Sequence, residues 1–155
     1  MNLKVLELDS NRLGELPPGI GGLRSLEALE LQNNRLAQLP PEFGQLARLK
    51  KLQLCYNHLT ELPDTIGGLE QLQELSISSN KLRTLPASMA DLRALEQLSL
   101  YGNHIEAFPA ALCQLERLRV LNLAHNHSCN PPPEIGQLRA LETLHLNKSG
   151  ISEIP

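Results

Sequence analysis

The sequence predicts an α/β solenoid of about seven short parallel strands, stacked side by side and backed by irregular or 3₁₀ segments. Three observations predict it. Leucine recurs every 23 residues, at Leu3, Leu26, Leu49, Leu72, Leu95, Leu118 and Leu141, and each recurrence opens the same pattern. Asparagine and proline recur in the same phase. The 155 residues contain no Trp, two Phe and two Tyr, so the core must be filled by one repeated aliphatic shape.

The strand comes first in each copy. Leu6 and Leu8, Leu29 and Leu31, Leu52 and Leu54, Leu75 and Ile77, Leu98 and Leu100, Leu121 and Leu123, and Leu144 and Leu146 alternate with other residues. A period of two puts the leucines inward and their neighbours outward. One such strand buries little alone, whereas seven stacked copies share a core.

The asparagine column follows, at Asn11, Asn34, Asn57, Asn80, Asn103 and Asn126, with Ser149 in the last copy. It stands where each strand must bend away. A carboxamide both donates and accepts, so it can satisfy the backbone groups that the bend leaves unpaired. Stacked, these residues form a structural ladder.

The return path is set by Pro17, Pro40, Pro63, Pro86, Pro109, Pro132 and Pro155. Proline fixes φ and removes a donor, which suits an extended return and forbids a second long strand. Ile20, Phe43, Ile66, Met89, Leu112 and Ile135 follow, each with a leucine three residues on. That spacing allows a single helical turn or an extended segment packed on the sheet, and mostly irregular or short 3₁₀ structure is expected there.

The combined pattern, L-x-x-L-x-L-x-x-N-x-L-x-x-L-P-x-x-I-x-x-L, resembles the leucine-rich repeat in its 23-residue typical subtype. Intracellular Ras-suppressor and Scribble-like proteins and many bacterial repeat proteins are similar. The resemblance covers residues 1–155 as a single domain of about seven repeats. It implies a horseshoe arc with the sheet on its concave side. It also implies that a partner protein is held on that face, with no cofactor.

The sixth copy departs from the pattern, with Ser128 where Leu13, Leu36, Leu59, Leu82 and Ile105 stand and Pro131 where Leu16 stands. The run from Ser128 to Pro133 is expected not to pack as its neighbours do. Three successive prolines favour extended backbone. It reads as a tolerated irregularity near the end of an array more readily than as a ligand loop. Polar caps are lacking at both ends, which predicts a fragment of a longer protein; the chain is expected to be a monomer or a weak end-to-end dimer.

The outward strand residues compose the candidate partner site: Glu7, Asp9, Glu30, Gln32, Lys51, Gln53, Tyr56, Glu74, Ser76, Gln97, Ser99, Tyr101, Asn122, His125 and His145. The face is acidic at its start and mildly basic at its end. Tyr56 and Tyr101 are the expected anchors, since tyrosine buries a rigid ring while keeping a hydroxyl. Glu7, Asp9 and Glu30 offer charge complementarity. A second column, Arg12, Arg35, His58, Lys81, His104 and His127, forms a weakly basic stripe that reads more often as a solvated loop edge.

The remaining signals exclude other classes. The net charge of −3 lacks the concentrated basic surface that nucleic acid requires. No apolar run is long enough to span a membrane. Cys55, Cys113 and Cys129 have no C-x-x-C spacing, which argues against zinc and predicts a reducing, cytoplasmic setting. The histidine pairs lack a third ligand, so no metal is expected. No nucleophile–base pair or phosphate loop occurs, so the chain is expected not to be an enzyme. It is expected to be an interaction scaffold or, alternatively, the recognition arm of a larger kinase, GTPase-containing protein or ubiquitin ligase.

Overall fold

A computed structural model describes residues 2–155. Seven three-residue strands, β1 (Val5–Glu7), β2 (Ala28–Glu30), β3 (Lys51–Gln53), β4 (Glu74–Ser76), β5 (Gln97–Ser99), β6 (Val120–Asn122) and β7 (Thr143–His145), form one parallel sheet in sequential order. The register never slips: Leu6 faces Leu29, Leu29 faces Leu52, and so on to Leu121 and Leu144. A one-residue slip would turn every leucine to solvent, which holds the register in place.

Between strands the chain makes five-residue 3₁₀ turns: Pro18–Gly22, Pro41–Gln45, Asp64–Gly68, Ala87–Asp91, Ala110–Gln114 and Pro133–Gln137. Proline, isoleucine and leucine recur here every three residues, the period of a 3₁₀ helix. In the first copy the N–H groups of Ile20, Leu23 and Leu26 donate to the carbonyls of Pro17, Ile20 and Leu23 at 3.0, 3.1 and 2.9 Å. The apolar residue of each turn packs on the back of the sheet, and Phe43, Ile66, Met89 and Leu112 are fully buried.

The asparagine column forms the ladder from Asn34 onward. The Asn57 Oδ1 accepts the Leu36 N–H of the preceding copy at 3.0 Å, while Nδ2 donates to the Leu31 and Leu54 carbonyls at 2.9 and 3.2 Å. Asn34, Asn80, Asn103 and Asn126 repeat this arrangement. Asn11 is a correction: it is exposed and bonds only within its own copy, to Leu8 and Asp9. Among the described residues its carboxamide bridges no second copy. Ser149, in the last copy, keeps one rung, its hydroxyl donating to the Leu123 carbonyl at 2.7 Å.

The sixth copy is also corrected. Ser128 turns out through a φ of 39°, and this carries Cys129 into the core, where it is fully buried. Burial pushes its thiol up to about 11, so it serves as a neutral filler. Pro131 is buried in the column of Leu16, and Pro133 opens the next 3₁₀ turn. The segment packs because one residue bulges, which moves the apolar side chains back into phase.

Behind the sheet runs a column of small residues: Gly21, Gly44, Gly67, Ala90, Cys113 and Gly136. A Cβ on Gly44 would stand 2.2 Å from the Thr65 carbonyl oxygen of the next turn, and one on Gly67 2.8 Å from that of Ser88. Where Ala90 and Cys113 replace glycine, a groove of about 710 Å³ opens between the turns.

Candidate functional site

The strands carry Glu7, Glu30, Lys51, Gln53, Glu74, Ser76, Gln97, Ser99, Asn122 and His145 of the predicted site. With the leucines inward, these side chains share the concave face. Asp9, Gln32 and Tyr101 stand two residues past each strand, in a column that also holds Cys55 and Ser78. There the Cys55 Sγ lies 2.8 Å from the Ser76 Oγ, and the Ser78 Oγ 2.8 Å from the Ser99 Oγ. These contacts stitch neighbouring copies together across the face.

Tyr56 and His125 occupy a different column, one residue further on, and here the structure adds something the sequence reading missed. Ser10, Asn33, Tyr56, Ser79, Gly102, His125 and Lys148 all have φ between 54° and 65°. The chain must turn left-handed at this point to present the following asparagine to its ladder. Glycine accepts that conformation freely; a bulky L-residue pays roughly 1–2 kcal/mol. Asn33 and Gly102 were the signal in the sequence. Tyr56 nevertheless stands in this column with 61% of its surface exposed, so its ring packs on little of the fold. Tyr101 is 37% exposed, and its ring centroid lies 4.8 Å from that of His125.

Charge is distributed unevenly along the face. The register puts Glu7 beside Glu30 and Lys51 beside Glu74. The Lys51 Nζ reaches the Glu30 Oε1 at 3.0 Å. Glu30 is held below its ordinary value by its hydrogen bonds from Lys51 and then Gln32. Lys51 is held above its own, first by the hydrogen bond to Glu30 and then by that carboxylate's charge, with Glu74 and Glu7 contributing. One ammonium thus stands among three carboxylates and contacts only one of them. Further along, Gln53, Ser76, Gln97, Ser99, Asn122 and His145 line a shallow depression of about 290 Å³.

Outside the face, His104 and His127 of the basic stripe stack with centroids 5.8 Å apart. Among the described residues no three His, Cys, Asp or Glu side chains converge as a metal site would need. Among the described residues no helix is long and apolar enough to cross a membrane.

A family model described as a leucine-rich repeat region matches residues 1–81 and 42–129. Among solved structures, a leucine-rich-repeat protein of Leptospira interrogans is 33% identical, with a TM-score of 0.69, over 99% of this chain and 48% of its own. The structure of PEPR1 with AtPEP1 is 30% identical, with a TM-score of 0.85, over 95% and 22% of the two chains. The plant peptide hormone receptor RGFR1, solved in complex with RGF2, is 28% identical, with a TM-score of 0.80, over 91% and 24%. The chain therefore spans less than half the length of each. No curated protein matches the sequence at a significant level.

Proposed function

The chain belongs to the leucine-rich-repeat family, and from that premise we infer that it is a protein-interaction module holding a partner protein against its concave sheet. Tyr56 carries this reading. The left-handed turn serves the ladder in every copy, but nothing in the ladder asks for a large exposed ring there; tyrosine so placed is the kind of residue that anchors protein interfaces. Tyr101 and its His125 neighbour supply a second aromatic contact on the same side. The fold family is typically a binding module rather than a catalyst, and RGFR1, a plant peptide hormone receptor, was solved in complex with RGF2. A cytoplasmic setting belongs to the same proposal, supported by three free cysteines.

The test is partner capture by immobilised protein, comparing the parent chain with a Tyr56→Asn/Tyr101→Ala double variant. Asparagine tolerates the left-handed conformation, so lost binding could not be blamed on lost folding at that position. We expect capture to fall by at least about tenfold, since aromatic anchors commonly contribute 2 kcal/mol or more. Undiminished capture would place the site elsewhere.

A further inference from the structure

Ion pairs recur along one edge of this molecule, whereas most carboxylates on its face stand outside any. Along one edge, Lys4, Glu27 and Lys50 alternate in sign, and the Glu27 carboxylate meets both lysines, at 3.1 and 2.8 Å. Arg119 and Glu142 pair at 2.9 Å further along the same column. On the concave face of copies one to four the pattern reverses. Glu7 stands beside Glu30 on neighbouring strands, about 4.8 Å apart, and like charges so placed destabilise a sheet. Only Lys51 opposes them, and Glu30 engages it. Among the described residues Glu7, Asp9 and Glu74 have no ion-pair partner.

The rest of the face supplies a different chemistry. The carboxamides of Gln53, Gln97 and Asn122 line the depression, and each can donate and accept at once. An extended peptide backbone presents both kinds of group in alternation. Seven strands about 4.8 Å apart span roughly 29 Å, the length of about nine extended residues. Tyr56 and Tyr101 lie along this path with exposed rings, which attract cations over their faces.

Resting on the reading of the concave face as a binding surface, we propose that its occupant is an extended cationic peptide segment of a partner protein. It lies across the strands with basic side chains over copies one to four and its backbone against the amide-lined depression. The unpaired carboxylates are then the missing half of a set of ion pairs that the partner completes.

Fluorescence anisotropy of the full chain with labelled peptides of about nine residues tests this. The probes alternate serine with arginine, with glutamine or with glutamate. The arginine peptide is expected to bind, and the other two are not. A Glu7→Gln/Asp9→Asn variant, which relieves the Glu7–Glu30 like-charge contact and keeps the Lys51–Glu30 pair, should fold at least as well as the parent. It should bind the arginine peptide about tenfold more weakly, a factor of a few for each screened surface contact. A Glu70→Gln/Glu116→Gln variant at the convex groove changes the net charge equally and should bind as the parent does. Equal binding of the glutamine peptide, or equal losses in both double variants, overturns the proposal. If the arginine peptide fails while the tyrosine variant still loses its captured partner, the cationic occupant is wrong and the binding face stands. If neither responds, both readings fall.

Discussion

Asn80 joins two copies of the repeat through its side chain alone, accepting the Leu59 N–H at 3.0 Å and donating to the Leu54 and Ile77 carbonyls. Replacing it with leucine leaves those buried groups unpaired. We expect Asn80→Leu to lower stability by about 1–3 kcal/mol, read as a shift in the urea midpoint. Asn11→Leu should change little, because its site is exposed and bridges no earlier copy. Equal effects at both positions would remove the ladder as a source of stability. The ladder was legible in the sequence because its six asparagines keep one phase and only a carboxamide does that work at a bend. The left-handed column beside it was not. Tyr56, His125 and Lys148 mask a conformational demand that Gly102 and Asn33 alone reveal. Tyr56 is exposed as the sequence leads one to expect, but its left-handed backbone is not visible there. Cys129 hid its role differently, since a one-residue bulge at Ser128 moves it into a position that fixed spacing gives to Ser128 itself.

At the scale of the element, the 3₁₀ turns of neighbouring copies approach closely enough to limit the side chains between them. The small-residue column reads, from sequence, as a demand of a tight turn. The structure assigns the demand to the next turn instead: a methyl group on Gly44 would meet the backbone carbonyl of Thr65, and backbone cannot swing aside. Gly44→Ala should therefore destabilise by about 1–3 kcal/mol, the usual range for overpacking. Gly136 has nothing within 4 Å of an added Cβ. There alanine should be neutral or stabilising by about 0.4–1 kcal/mol, through a less flexible unfolded chain. Thermal melts of the two variants decide the matter, and a tolerated Gly44→Ala would mean the turns can part freely. The 3₁₀ geometry itself was legible, because proline, isoleucine and leucine at intervals of three match its period and no α-helical period competes.

Across the whole molecule, each repeat touches its neighbours and little else, so stability is close to a sum of repeat and interface terms. Ion pairs contribute at the interfaces: Lys4–Glu27, Lys50–Glu27, Lys51–Glu30, Arg83–Glu106 and Arg119–Glu142 each link adjacent copies. Glu27 is held below the ordinary carboxylate value by its hydrogen bonds from Lys50 and Lys4, and Glu30 by those from Lys51 and Gln32. A depressed folded-state value means stability that is present above the unfolded-state value and lost as pH falls through the folded one. Below the ordinary carboxylate range these pairs dissolve, and 14 lysines and arginines with five histidines are left to repel one another. The melting temperature should therefore drop between pH 7 and pH 3 and recover in part with added salt, whereas an unchanged melt would show the pairs to be idle. The stack, its register and its polar face were all legible in the sequence, since a strict period propagates one copy's geometry to the next. The charge imbalance across copies one to four was legible as composition, but the contrast with the paired edge needed the register.

The small-residue column also marks where the back of the array is least closely packed. On the sheet side the register runs unbroken through all seven strands. On the back, Gly21, Gly44 and Gly67 let each turn lie against the backbone of the next, whereas at Ala90 and Cys113 a groove stands open between the turns. A seam thus runs up the rear of copies four and five while the front keeps its register.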